Sequence, residues 1–261
     1  MTINFRMLAE RLSRRVVLSR QFPPSLGGAT LYVSPGASGL RCWKRSLVET
    51  DPHLLERTRE IIFPGAVVWD IGANQGLFTF CAAGLAGPDG EVLAVEADTW
   101  LVELLRRSAR ANSPAIAPVT VLSAAASESV GLATFCIASR ARSTNHLEGY
   151  GHGTPQVGRI RERQMVVCLS LDWLFGHFRA PDVVKIDVEG AELGVLSGAR
   201  ELLKCKRPTL LMEVLQEHRI AVTEYLHALN YELYDADCTS GNRTPIREAT
   251  WNTLALARAS G

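Results

Sequence analysis

Short apolar runs alternate with longer stretches of helical periodicity along most of the chain. The apolar runs are four to six residues long and are bounded by charged or turn-forming residues, which is typical of buried strands. This alternation predicts a parallel sheet with helices on both faces, and such a sheet binds ligands at the carboxyl ends of its strands. Strands are predicted over residues 66–70, 91–96, 118–123, 182–187, 209–213, 231–234 and 252–257, and helices over 76–86, 98–111, 191–203 and 217–229.

The middle of the chain departs from this alternation. Apolar runs at 131–137 and 164–168 predict two further strands on either side of a polar segment, residues 138–163. So long a polar connection is usually a functional loop or a disordered one. It contains His146, whose imidazole titrates near neutral pH and is therefore a candidate base or hydrogen-bond partner.

The first part of the chain has its own pattern. Residues 5–20 have helical spacing with an arginine-rich face, which indicates either a solvated helix or a helix that binds an acidic partner or a membrane surface. The runs at 30–33 and 40–43 predict a small hairpin. We therefore predict an extension over residues 1–60 and a single core domain over 61–261.

The composition argues against several classes of function. The 261 residues carry 28 Lys and Arg against 27 Asp and Glu, so the chain lacks the broad basic footprint of a nucleic-acid-binding protein. No apolar run reaches the ~18 residues needed to cross a bilayer, and residues 1–10 lack a secretory signal, so we expect a cytoplasmic location. The six cysteines are scattered without a metal-binding spacing and predict neither a zinc site nor a disulfide framework.

The strand at 66–70 is followed by a turn that is typical of a nucleoside-binding pocket. Asp70 ends the strand, and Gly72 and Gly76 let the backbone turn sharply and approach a ligand closely. The next strand ends in Glu96, whose carboxylate can accept hydrogen bonds from both hydroxyls of a ribose. A dinucleotide pocket is the alternative, but its Gly-x-Gly-x-x-Gly pattern has glycine where this chain has Asp70. A carboxylate there repels a phosphate and suits a cationic ligand, which favours S-adenosylmethionine.

A second charged cluster follows the strand at 182–187. In an extended chain Lys185, Asp187 and Glu189 share a face, so one ammonium and two carboxylates converge near the strand end. The cluster favours a functional site, although Lys185 could simply neutralise its neighbours. Glu213 ends the following strand. Carboxylates of this kind are ligands that a divalent cation accepts, but the spacing does not require a metal and no metal ligand is assigned.

Four motifs in the same order connect the chain with a known family. They are DIGANQGLFTF from Asp70, VEAD from Val95, KIDVEGAELGVLSGA from Lys185 and LLMEV from Leu210. With these motifs, residues 60–257 resemble the FkbM family of S-adenosylmethionine-dependent methyltransferases. The resemblance implies the Rossmann-like class I methyltransferase fold, an α/β architecture with a seven-stranded, mostly parallel sheet and an antiparallel last strand.

The resemblance also implies a set of contacts with the methyl donor. In residues 123–127 this chain has three alanines where relatives often have a polar residue, so no side-chain contact with the adenine is assigned there. The acceptor pocket of this fold is built largely from the extension and from residues 138–163, where the resemblance is poorest. The donor contacts carried over are Asp70, Gly72, Ala73, Asn74, Gly76, Phe78, Glu96, Ala97, Ala125 and Asp187.

The family is linked mainly to O-methylation, which implies a small-molecule acceptor with a hydroxyl group, such as a natural product or a sugar. A neutral alcohol is a poor nucleophile until its proton leaves, and a general base typically contributes ~10²- to 10⁴-fold to such a step. Asp187 is the leading base, positioned by Lys185 and Glu189, and His146 and Glu213 are further candidates. N-methylation of an amine or peptide and a non-catalytic donor-binding scaffold are the alternatives. The sequence is compatible with a homo-oligomer.

Overall fold

The computed structural model describes residues 16–38, 44, 46–112, 114–138, 142–150 and 160–258. Numbered in chain order within these residues, the strands β1 to β13 are Leu18–Gln21, Thr30–Val33, Val67–Ile71, Glu91–Glu96, Val119–Ser123, Ala125–Ala126, Gly131–Ala138, His146–Leu147, Ile160–Leu169, Val183–Ile186, Thr209–Glu213, Tyr231–Asp235 and Asn252–Ala257. The helices α1 to α8 are Pro35–Ser38, Pro52–Ile61, Leu77–Ala86, Thr99–Ala111, Leu171–Phe175, Glu192–Ser197, Arg200–Cys205 and Arg219–Ala228.

A seven-stranded sheet forms the centre of the molecule. Its order is β12-β13-β11-β10-β3-β4-β5, and β13 runs antiparallel to both of its neighbours while the other pairs are parallel. The predicted fold class is therefore confirmed, including the antiparallel last strand. β4 and β5 lie on one side of β3, and β10 and β11 lie on the other, so the strand order reverses at β3. In sheets of this kind a crevice opens at the carboxyl end of the strand where the order reverses.

Each face of this sheet is covered by an apolar layer. All five residues of β3 are buried, as expected for a strand that has helices on both sides. Val68 belongs to a cluster with Phe80 of α3, and Trp69 belongs to a second cluster with Leu196 of α6 and Leu226 of α8. Successive residues thus point to opposite layers, and the strand ends reach the edge where the two layers separate.

The first described residues form a hairpin that differs from the predicted one. Residues 18–21 pair with 30–33 in an antiparallel ribbon, whereas the prediction placed 18–20 at the end of a helix and paired 30–33 with 40–43. The signal was present in the sequence, because residues 22–29 carry Pro-Pro and Gly-Gly, a strong turn composition, and Phe22 N donates to the carbonyl of Ala29 at 2.9 Å. Residues 1–15 and 40–43 lie outside the described residues.

A second, smaller sheet has the order β6-β9-β7-β8. The strands predicted at 131–137 and 164–168 are present, and β9 begins earlier, at Ile160. The pairing of Ala138 with Ile160 and of Cys136 with His146 extends this sheet into the segment that was predicted to be a loop. Residues 139–141 and 151–159 of that segment lie outside the described part of the chain.

The helix predicted over 191–203 is divided into α6 and α7 at Gly198. A Cβ atom at this position would lie 2.5 Å from the carbonyl oxygen of Ser127, so a close approach between two backbones sets the break. The carboxylate of Asp172 then accepts hydrogen bonds from the backbone N–H groups of Glu201 at 3.1 Å and Leu202 at 2.9 Å and caps the second helix. Within the described residues, every helix is too short or too polar to cross a bilayer.

Candidate active site at the carboxyl ends of the central strands

The turn between β3 and α3 is built so that only glycine fits at its first position. Gly72 has φ +82°, and a Cβ atom there would lie 1.8 Å from the backbone oxygen of Asp187. Gly72 N donates to the carbonyl of Val95 at 2.9 Å, which ties the turn to β4. Asn74 and Gly76 also have positive φ angles, of 52° and 95°. The turn therefore joins the ends of three neighbouring strands with almost no side-chain volume between them.

Asp70 lies beneath this turn and is fully buried. Its Oδ2 accepts a hydrogen bond from Thr79 Oγ1 at 2.5 Å, and its Oδ1 lies 3.5 Å from Lys185 Nζ without a hydrogen-bond partner among the described residues. Burial raises the pKa of this carboxyl, and the nearby Lys185 charge opposes the increase. Asp70 therefore holds Lys185 and the first turn of α3.

Glu96 stands at one end of the cleft with both carboxylate oxygens already oriented. Oε2 accepts a hydrogen bond from Asn74 N and Oε1 accepts one from Asp98 N, each at 2.8 Å. Burial raises the pKa of Glu96 to about 7, although these two hydrogen bonds oppose the increase. Each oxygen keeps a free lone pair, so the carboxylate can still accept hydrogen bonds from a ligand with two adjacent hydroxyls.

The other end of the cleft carries the predicted charged cluster. Lys185 Nζ lies 3.1 Å from Asp187 Oδ2. Burial alone would lower the pKa of Lys185, but Asp187 and Asp70 raise it above its ordinary value. Burial, with repulsion from Asp187, raises the pKa of Glu189 to about 8 and that of Glu213 to about 7. This end of the cleft thus favours a ligand that brings positive charge.

The backbone after β10 is held in place by a separate pair of hydrogen-bonded side chains, Glu192 and His218. Glu189 has φ 50° and Gly190 has φ 105°, so the chain leaves the strand in a tight turn. Glu192 Oε1 accepts a hydrogen bond from Gly190 N at 2.8 Å, and its Oε2 lies 2.7 Å from His218 Nδ1. Glu192 and His218 therefore fix the conformation of the turn that orients Glu189.

A cavity of about 210 Å³ connects the two ends. Among the predicted site residues, those that line it are Gly72, Asn74, Glu96, Ala97, Ala125, Asp187, Glu189 and Glu213. Five others lie outside its wall. Ala73 and Phe78 are packed in the apolar core, Gly76 directly precedes α3, and Asp70 and Lys185 form the buried pair below.

His146 is not brought into the cavity. It lies in β8 opposite Cys136, with its side chain buried and its Nδ1 3.2 Å from the carbonyl oxygen of Thr144. Its neighbours Asn145 and Leu147 line the cavity, and side chains alternate along an extended chain, so His146 points the other way. The proposed role for this histidine as a base therefore loses its geometric support.

Two polar residues of the cavity wall were not predicted from the sequence. Arg142 and Asn145 line the cavity and both contact Asp98 Oδ2, with Asn145 Nδ2 at 2.9 Å. Their polar, loop-like sequence context gave no signal, because the contacts depend on the fold of the second sheet. Within the described residues, no group of three or more His, Cys, Asp or Glu side chains is arranged to hold a metal ion.

Comparison with known proteins identifies a family. The sequence profile described as the Methyltransferase FkbM domain matches residues 70–234, more than half of the chain. These residues include Gly72, Glu96, Asp187 and Glu213. A comparison with curated proteins finds no match.

Similar solved structures are methyltransferases with low sequence identity. The methyltransferase FkbM from Methylobacillus flagellatus KT is 19% identical with a TM-score of 0.47, over 80% of this chain and 54% of that one. This chain thus spans about half of that protein. The precorrin-6y C5,15-methyltransferase from Geobacter metallireducens GS-15 is 14% identical with a TM-score of 0.46, over 81% and 89% of the two chains. An S-adenosylmethionine-dependent O-methyltransferase from Thermotoga maritima is 14% identical with a TM-score of 0.45, over 81% and 66%.

Proposed function

The chain belongs to the FkbM methyltransferase family, and from this premise we propose that it transfers a methyl group from S-adenosylmethionine to a hydroxyl of a small molecule. One observation supports the proposal most strongly. A single cavity has an oriented carboxylate, Glu96, at one end and three carboxylates, Asp187, Glu189 and Glu213, at the other. We propose a natural product or a sugar as the acceptor and a cytoplasmic location for the reaction.

The residues of this cavity fit the methyl donor. Glu96 offers two lone pairs to the hydroxyls of a ribose, and Gly72 lines the cavity with backbone atoms alone, which lets a ligand approach the chain closely. The donor carries a sulfonium and an ammonium group against one carboxylate, so its net charge is positive. The acidic end of the cavity therefore attracts the part of the donor that holds the methyl group.

At the reacting end, we assign to Asp187 the role of accepting the proton of the acceptor hydroxyl. Lys185 donates a hydrogen bond to Asp187 Oδ2 at 3.1 Å and thereby orients the carboxylate toward the cavity. When bound, S-adenosylmethionine supplies an electrophilic methyl group whose bonding pair stays on sulfur. Asp187 takes the proton as the new O–C bond forms and later releases it to solvent, while Glu189 and Glu213 position the acceptor.

Donor binding by calorimetry is the first test. Wild-type protein is expected to bind S-adenosylmethionine and S-adenosylhomocysteine. Glu96→Ala should lower the affinity for both ligands by about tenfold to a hundredfold, because hydrogen bonds to a charged acceptor are lost. Glu91→Ala is the matched control, since Glu91 lies at the opposite end of the same strand. A folded wild-type protein that binds neither compound at millimolar concentration would contradict the proposal.

Proton release gives a second test. At pH 7.5, S-adenosylmethionine is expected to release more protons on binding than S-adenosylhomocysteine. The pKa of Glu189 is raised to about 8 and that of Glu213 to about 7, so both are partly protonated in the free protein. A sulfonium beside them favours their charged forms and lowers the pKa of both, so protons leave and affinity for the sulfonium compound rises from pH 6 to pH 8.

Calorimetry in two buffers with different ionisation enthalpies measures this release. Glu96, with a pKa of about 7, contacts the part that both ligands share, so its contribution cancels in the difference. Glu189→Gln should reduce the difference. Equal proton release by the two ligands would show that the sulfonium does not lie beside these carboxylates.

A further inference from the structure

At the end of the cavity that holds Glu96, the remaining walls are mostly apolar. The apolar residues at this end are Ala97, Leu101, Ala124, Ala125, Ala126, Phe135 and Leu147. Residues 124–126 are all alanine, so this part of the chain offers a purine base no hydrogen bond from a side chain. Besides Glu96 and its neighbour Asn74, the polar side chains among the described lining residues at this end are those of Arg142 and Asn145.

Both side chains are held by one buried carboxylate. Asp98 Oδ2 accepts hydrogen bonds from Arg142 Nη1 and from Asn145 Nδ2, and Asp98 is fully buried. The Arg142 guanidinium also lies over the ring of Trp100, 4.7 Å from its centroid. Asn145 Oδ1 accepts a hydrogen bond from Ala138 N at 2.9 Å. The orientation of both groups is therefore set before a ligand arrives.

The same carboxylate links these residues to the ribose end of the cavity. Asp98 N donates to Glu96 Oε1 at 2.8 Å, while Asp98 Oδ1 accepts a hydrogen bond from Trp100 N at 2.9 Å and caps α4. Glu96 and Asp98 are two residues apart. One short segment therefore positions the carboxylate for the ribose and, through Asp98, the side chains of Arg142 and Asn145.

We propose that Arg142 and Asn145, oriented by Asp98, recognise the adenine of the methyl donor, an inference that rests on the proposed function. A guanidinium has five N–H donors and an amide nitrogen has two, so both groups keep donors after binding Asp98. The ring nitrogens of adenine are acceptors, and its two faces suit the apolar walls. In this chain the polar recognition of the base thus comes from residues 142–145, the segment that precedes β8 of the second sheet. Arg142 and Asn145 are specificity residues, and Asp98 is a positioning residue.

Binding of a nucleoside fragment tests the inference. 5′-Methylthioadenosine keeps the adenosine of the donor and lacks its amino acid part. Arg142→Met is expected to weaken the binding of this compound and of S-adenosylmethionine by the same factor, about tenfold or more, because both ligands lose the same contact. Arg142→Lys, which keeps the charge beside Asp98, should lose less. Glu213→Gln should alter the binding of S-adenosylmethionine alone, since Glu213 lies at the other end of the cavity.

The controls separate recognition from folding. Arg163→Met removes an arginine of β9 that pairs with Glu148 at 2.9 Å on the exposed surface, and it should leave both affinities unchanged. Circular dichroism and thermal melting identify any variant that is unfolded, and Arg142→Lys then provides the comparison. Binding of 5′-methylthioadenosine to folded Arg142→Met within twofold of wild type would overturn the inference. If wild type binds neither compound, the proposed function fails first, and the inference fails with it.

Discussion

Asp187→Asn is expected to lower kcat at saturating donor by about 10²- to 10⁴-fold while the affinity for the donor changes only severalfold. The amide keeps the shape of the side chain and its contact near Lys185 but cannot take a proton from an alcohol. The measurement is the initial rate of methyl transfer to an acceptor found by screening, together with the Kd of S-adenosylhomocysteine. Lys185 Nζ, 3.1 Å from Asp187 Oδ2, retains Asp70 as a partner at 3.5 Å, so the variant should fold.

Asp182→Asn is the matched control for this prediction. Asp182 precedes β10, at the end of that strand opposite Asp187, and its carboxylate pairs with Lys206 at 3.0 Å away from the cavity. The kcat of Asp182→Asn should stay close to that of the wild-type protein. A loss of less than tenfold in Asp187→Asn would contradict base assistance at Asp187. It would favour an amine acceptor, because a neutral amine attacks without first losing a proton.

Gly72→Ala is expected to lower the free energy of unfolding by at least about 3 kcal/mol and to abolish donor binding. Two effects combine here. An alanine at φ +82° is strained, and its Cβ would lie 1.8 Å from the backbone oxygen of Asp187. Relief of this contact requires the end of β10 to move away from β3, which opens the floor of the cavity. Urea denaturation measures the stability, and calorimetry measures the binding.

Gly65→Ala separates the two effects. Gly65 also has φ +82°, but a Cβ atom there would have nothing within 4 Å. The backbone strain is therefore matched, and we expect a loss of only about 1–2 kcal/mol with donor binding intact. If both variants lost the same stability, the close approach of β3 and β10 would not be what requires glycine at position 72.

The sequence predicted best where apolar runs end abruptly at charged or turn-forming residues. The strands at 91–96, 209–213 and 252–257 have the predicted bounds, because their pattern is local and complete. The helix over 191–203 was predicted as one element, and its break at Gly198 depends on Ser127, a residue far away in the chain. Local periodicity carries no information about such a contact.

For the candidate site, too, local sequence patterns were informative and contacts between distant residues were not visible. Asp187 and Glu189 were placed correctly near one strand end, because the carboxyl ends of parallel strands meet at one edge. Asp70 was expected to face the donor, yet the structure places it below the turn, paired with Lys185. Arg142 reaches the cavity through the pairing of the second sheet, which the sequence showed only in part.

The cavity has a consequence for the lifetime of the protein. Its walls come from the ends of β3, β4, β10 and β11, so the pocket exists only while the central sheet is intact. A donor present at one hundred times its Kd would raise the free energy of unfolding by about 2.7 kcal/mol. Because proteases attack the transiently unfolded chain, we expect the cellular abundance of this protein to follow the supply of the methyl donor that we propose for it.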